Sequence, residues 1–140
     1  MSDPIVIDTG VIVALIDKDD QWHAWTETQA ATLSIPYLTC EAVIAEACHL
    51  LKRVPNGSTK VLELINKNAL KIDFALSINN SAVINLINKY QDVPMDFADA
   101  CLVRMSGTIE NSIVFTLDSD FWIYRKNGKE QIPLIAPPQK

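Results

Sequence analysis

Asp8, Glu46, Asp99 and Asp118 carry the clearest capacity for chemistry, because each stands where a lone surface acid would not need to be. Asp8 closes the apolar run Ile5-Val6-Ile7, and Val11-Ile12-Val13 follows a few residues on. Asp118 comes just after Thr116, which ends the apolar run Ile113-Val114-Phe115. In the segment that begins at Cys40, Val43, Ile44, Ala47, Leu50 and Leu51 fall on one helical face. At about 100° per residue Glu46 lies about 60° from Val43, at the margin of that face, whereas Glu41 points largely away. Further on, Asp99 falls between Leu102 and Val103 on the helical wheel, with Asp96 one turn earlier. Both belong to the first turn of their helix, where the helix dipole favours negative charge.

Bringing four acids together without counter-charge costs several kcal/mol through burial and repulsion. Lys52, Arg53 and Arg104 are the few bases nearby in sequence. A hard divalent cation resolves the cost: Mg²⁺ or Mn²⁺ takes oxygen ligands and keeps several waters, as phosphate chemistry requires. Taken singly, each acid has an ordinary alternative. Asp8 would hold the Thr9-Gly10 turn, Asp99 would serve the helix dipole, Asp118 would cap a short helix, and Glu46 would be a surface acid beside His49 or Lys52. Only their joint placement points to a site. Other chemistries lack their parts. His23 and His49 have no evident Ser or Cys nucleophile to serve, so a hydrolase triad is not expected. Asp17-Lys18-Asp19-Asp20 opens like a calcium-binding loop but lacks the later glycine and acid. There is no phosphate-binding glycine loop.

The elements that must position these acids alternate between strand and helix. Strands are expected at Pro4–Asp8, Pro36–Leu38, Leu70–Phe74, Ser112–Thr116 and Ile132–Ile135. Helices are expected over Val11–Ile16, Gln21 to about Thr32, Cys40 to about Lys52 with Thr39 as cap, Thr59–Asn68, Asn79–Tyr90 and Met95 to about Thr108. Asp118–Trp122 reads as a single helical turn, and Asn127-Gly128 as a hairpin-type turn. The strands are apolar without alternation, which suits burial on both faces of a parallel sheet. The expected fold is α/β, a three-layer α/β/α sandwich with a mostly parallel central sheet, in one domain over residues 1–140. In such sheets ligands gather at the carboxyl ends of the strands, where Asp8 and Asp118 both fall. With 49% hydrophobic and 21% charged residues, the composition is that of a globular chain, not a disordered one. No run approaches the 18 to 20 or so apolar residues of a membrane span, and no signal peptide is expected. Cys40, Cys48 and Cys101 form no metal-binding pair and suit a reducing cytoplasm. A net charge of −5 is not that of an ordinary nucleic-acid binder, although bound cations would make an acidic pocket far less negative than the sum implies.

The ordered set "IVIDTGVIVAL", "EAVIAEACHLL", "PMDFADACLV" and "VFTLDSDFWIYR" resembles the PIN domain, and more narrowly the VapC-type toxin ribonucleases of type II toxin–antitoxin modules. The resemblance runs from Ile5 to Leu134. It implies that Asp8, Glu46, Asp99 and Asp118 are both metal ligands and catalytic acids, with Asp96, Thr116 and Asp120 as auxiliaries. Gly10 departs from the family, which often carries Ser or Asn there; the low basic content is a second departure.

The implied activity is hydrolysis of an RNA phosphodiester with one or two Mg²⁺ or Mn²⁺ ions, leaving a 5′-phosphate and a 3′-hydroxyl. With two ions, roughly 4 Å apart, one acidifies a water and both stabilise the phosphate's charge. The resemblance also implies a homodimer and a cognate antitoxin protein, with no membrane partner. Trp22, Trp25, Trp122 and Tyr124 are candidate anchors for such contacts, core packing being the alternative role. Two rivals remain at this point. A PIN-like domain that only binds RNA or protein would have no use for a costly acidic cluster. A receiver-type signalling domain needs an acid ending a middle strand and a lysine ending the last; Asp73 lies inside its strand.

Overall fold

The computed structural model describes residues 2–139. Its centre is a five-stranded sheet formed by β1 (Ile5–Ile7), β2 (Tyr37–Thr39), β3 (Leu70–Ile72), β4 (Ile113–Phe115) and β7 (Leu134–Ile135). The spatial order is β3-β2-β1-β4-β7, and every pairing is parallel. Six helices flank it: α1 (Thr9–Ile16), α2 (His23–Ala30), α3 (Glu41–Leu50), α4 (Gly57–Asn66), α5 (Leu76–Lys89) and α6 (Phe97–Thr108). Helix α1 packs on α2, α3 and α4, α3 packs on α4 as well, and α5 packs along α6. A small antiparallel ribbon, β5 (Arg125–Lys126) with β6 (Glu130–Gln131), turns through Asn127 and Gly128, both with positive φ. Asn-Gly tolerates that backbone at little cost, which is why the pair reads as a turn in sequence. The ribbon itself has no apolar run to announce it.

The expected α/β/α sandwich is the architecture found. The apolar strands are buried as the lack of alternation requires: Val6, Ile7, Val114 and Phe115 are wholly inaccessible to solvent. Boundaries differ for local reasons. Helix α1 begins at Thr9 because the Asp8 carboxylate accepts the Thr9 N–H and caps the helix at once. Helix α6 begins at Phe97 because Asp96 is its cap. Thr39 does not cap α3: Cys40 holds the cap position, and the Thr39 hydroxyl donates across the sheet to the Ile7 carbonyl at 3.1 Å.

Register fixes the functional edge. Val6 lies opposite both Leu38 and Val114, and Ile7 opposite Phe115. Asp8 and Thr116 are therefore the next residues on neighbouring strands, joined by the Asp8 N–H donating to the Phe115 carbonyl at 3.0 Å. The chain builds outward from β1 through β2 to β3, then crosses to begin again at β4 on the other side of β1. Such a reversal opens a crevice at the carboxyl edge of the sheet, between β1 and β4. The same order disposes of the receiver-type rival. β3 is an edge strand, Asp73 follows it away from the crevice, and the last sheet strand ends in Ile135, not lysine. Among the described residues, no helix is long and apolar enough to cross a membrane.

Candidate active site

Asp8 is 6% exposed at the end of β1. One carboxylate oxygen accepts the Thr9 N–H at 2.7 Å, and the other accepts the Thr116 hydroxyl at 2.7 Å. Thr116 in turn accepts the Asp118 N–H at 2.9 Å. One hydroxyl thus ties the end of β1 to the turn after β4. Asp118 caps the 3-10 turn Ser119–Trp122, its carboxylate accepting the Asp120 N–H at 2.9 Å. From the other side, Asp96 caps α6 by accepting the Asp99 N–H at 2.8 Å, which fixes the first turn from which Asp99 projects. Asp99 is itself buried and accepts the Tyr124 hydroxyl at 3.2 Å.

These supports bring one carboxylate oxygen each from Asp8, Asp99 and Asp118 within 4.8 Å of one another. Glu46 lines the same pocket, together with Asp96, Thr9 and Gly10, but its carboxylate does not join the three. Its negative charge nevertheless acts on Asp8. Thr116 and Asp96 hold the cluster by hydrogen bonds. Asp120 supports Asp118 through its backbone and stands outside the pocket lining.

The electrostatics are those of a site short of positive charge. Burial pushes Asp8 up to about 6, against the opposing bonds from Thr116 and Thr9, with the charges of Asp118 and Glu46 adding to the rise. Asp99 is pushed to about 8, first by burial, then by the charges of Asp96, Asp8 and Asp118; the Tyr124 bond works the other way. Asp118 is raised chiefly by burial. The ion pairs among the described residues, His23 with Glu27 and Arg53 with Asp17, leave all three acids unmatched. Arg104 spends its guanidinium on the Asn79 side chain at 2.9 Å instead. Thr9 adds a further signal: its hydroxyl is buried without a partner, and the residue lines the pocket. Three clustered carboxylates with no cation against them among the described residues, and a spare hydroxyl beside them, suit a hard divalent cation.

Tyr124 is the supporting residue whose role the sequence hides. It is wholly buried, edge-on to both Tyr90 and Phe121, with ring centroids 5.1 and 5.2 Å away. It therefore cannot anchor a partner. Its pKa is raised well above that of an ordinary tyrosine, mainly by burial and by Asp99. Leu50, half exposed, and Leu117 give the pocket an apolar rim that sequence reasoning also missed.

A parallel-sheet crevice holding three carboxylates from separate segments defines a class: an α/β domain with an acidic, metal-compatible pocket. The family model for the PIN domain matches residues 5–127, and the chain belongs to that family. Its fold is similar to the crystal structure of Mycobacterium tuberculosis VapC20, described as a sarcin–ricin loop cleaving toxin. The TM-score is 0.71 at 17% identity, over 83% of this chain and 91% of that one. No curated protein matches the chain.

Proposed function

We propose that this PIN domain is a divalent-metal-dependent ribonuclease that hydrolyses RNA phosphodiesters, and that it serves as the toxin of a type II toxin–antitoxin module. The observation that carries the reading is the convergence of Asp8, Asp99 and Asp118, from three distant segments, with no cation among the described residues to offset them. The likeness in fold to a sarcin–ricin loop cleaving toxin supports the choice of substrate and role.

In this reading Asp8, Asp99 and Asp118 would hold one or two Mg²⁺ or Mn²⁺ ions, and Glu46, lining the same pocket, would add negative charge beside them. A bound cation supplies an acidified water near neutral pH and stabilises charge on the phosphate under attack. The protein's part is positioning. Thr116 orients Asp8 and tethers the Asp118 turn, Asp96 sets the first turn of α6, and Tyr124 holds one oxygen of Asp99. Burial of Asp8 and Asp99 keeps their carboxylates from drifting into solvent. The products are a 5′-phosphate and a 3′-hydroxyl. The partners are a cognate antitoxin and a second copy of the chain, in a cytoplasmic setting.

Incubation of the purified protein with mixed cellular RNA and Mn²⁺ or Mg²⁺, then with EDTA, tests this directly. Cleavage that EDTA stops and Asp8→Asn lacks is the expected result. Intact RNA with either metal, from folded protein free of bound inhibitor, overturns it.

A further inference from the structure

A second cleft, of about 460 Å³, opens beside the acid pocket and shares Leu117 and Asp118 with it. That volume is typical of small-molecule sites, which run from roughly 300 to 1,000 Å³. Trp22, Trp122, Ile123 and Pro137 line the cleft, and among the described residues no lysine or arginine does. We propose that this cleft is a stacking subsite for one base of single-stranded RNA, the nucleotide flanking the phosphate held at the acids. The inference rests on the ribonuclease reading and adds how the substrate is gripped.

Four observations favour a base over other occupants. First, the cleft is continuous with the acid pocket through Asp118, so a nucleotide attached to the reacting phosphate has this cleft directly beside it. Second, the cleft's aromatic and apolar walls suit a neutral ring, and no cation among the described residues lines it to offset a phosphate. Single-stranded RNA is recognised largely by such splayed bases stacked on aromatic side chains. Third, the two tryptophans are held in place. Trp22 stands edge-on to Trp25 at 6.1 Å, and Trp25 packs on the core ring of Phe115 at 6.2 Å. The Trp122 carbonyl accepts the Arg125 guanidinium at 2.8 Å, which pins the 3-10 turn that carries it. Fourth, Trp122 has no aromatic partner, and neither Trp22 nor Trp122 donates its indole N–H, among the described residues. A base would supply both a ring to stack and an acceptor for an indole N–H. A chain of net charge −5 is thus provided with a grip on RNA that does not depend on a basic patch.

The test uses the full-length Asp8→Asn protein without metal, so that binding is read apart from cleavage. A short oligoribonucleotide carrying 2-aminopurine reports stacking by quenching. Saturable quenching is expected, weakened about tenfold by Trp122→Ala and largely restored by Trp122→Phe, in line with the usual worth of one base–aromatic stack. Trp22→Leu should weaken it as well; in the metal-loaded parent, Trp122→Ala should raise KM by a similar factor with kcat little changed. Thermal melting shows that the variants are folded, and the Phe and Leu variants carry the test if Trp122→Ala is not. Equal quenching with and without Trp122 overturns the proposal, as does tryptophan quenching by aromatic peptides but not by RNA. Metal-dependent cleavage indifferent to Trp122 and Trp22 overturns the cleft and leaves the nuclease standing. Stacking without any cleavage by the parent protein supports the cleft and overturns the nuclease.

Discussion

The turn after α1 and the pocket above β1 each hold three aspartates: Asp17, Asp19 and Asp20 in the first, Asp8, Asp99 and Asp118 in the second. In the turn, neighbours in sequence solve the charge locally. Asp17 accepts the Asp19 N–H at 3.0 Å, Asp20 accepts the Trp22 N–H at 2.8 Å, and the cleft beside them is lined by Lys18, Arg53 and Lys60. In the pocket, the acids come from remote segments and meet no cation among the described residues. The most acidic stretch of the sequence is therefore a spent one, satisfied by its own backbone and bases. The scattered acids keep an unmet demand for positive charge.

That contrast can be broken by substitution. Asp8→Asn is expected to lower metal-dependent RNA cleavage by about a thousandfold or more, since it removes a group on which several kcal/mol of charge stabilisation depends. Asp19→Asn in the turn should leave the rate unchanged. Equal losses at both positions, measured as kcat/KM on one RNA, would erase the distinction.

Acidity sharpens it. Asp8 and Asp99 have folded-state pKa values raised to about 6 and about 8 from the ordinary 3.8. A raised carboxylate favours the fold while protonated, so its contribution is full below about pH 4 and is lost as pH climbs through 6 and then 8. For Asp8 alone the loss is about 3 kcal/mol. Urea unfolding in EDTA should show a less stable protein at pH 8 than at pH 5, and Asp8→Asn should flatten that slope. Saturating Mn²⁺ should restore stability at pH 8 in the parent but not in Asp8→Asn, by about 2.7 kcal/mol at one hundred times the dissociation constant. A parent protein whose melting temperature ignores Mn²⁺ would contradict the metal site.

Smaller effects follow from the supports. Tyr124→Phe keeps the buried ring and removes one bond to Asp99; a loss of about 1 to 2 kcal/mol in stability is expected by chemical denaturation, with a few-fold fall in cleavage. Gly10→Ser restores the polar residue frequent in the family. A Cβ at Gly10 would meet only Leu117, at 3.7 Å, an ordinary contact. The change should alter stability by less than about 1 kcal/mol and leave cleavage intact.

Much of this was legible in the chain because strand burial and helix caps write themselves locally. Asp118 reads as a cap and is one, whereas Asp8 and Asp96, read as a strand end and a first-turn acid, turn out to be caps as well, which moved the starts of their helices but not the placement of the acids. Parallel-sheet logic then places Asp8 and Asp118 at one edge without knowledge of the register. What stayed hidden depends on contact between remote side chains. Nothing in "DFWIYR" links Tyr124 to Asp99, and the periodicity that put Glu46 at a face margin could not say how far its carboxylate stops from the other three. The two-residue ribbon strands were illegible because their pairing rests on the Asn-Gly turn and not on any apolar pattern.

The Thr116 hydroxyl that reaches Asp8 closes a loop of 108 residues. Contacts of such separation form late, because the chain must give up the freedom of the whole intervening segment before they repay it. During synthesis, Asp8 and Asp99 leave the ribosome well before Asp118 and its tether. A growing chain therefore carries no assembled acid cluster until Thr116 and Asp118 have been made, and whatever catalytic power the pocket has arrives in one step, when they join Asp8.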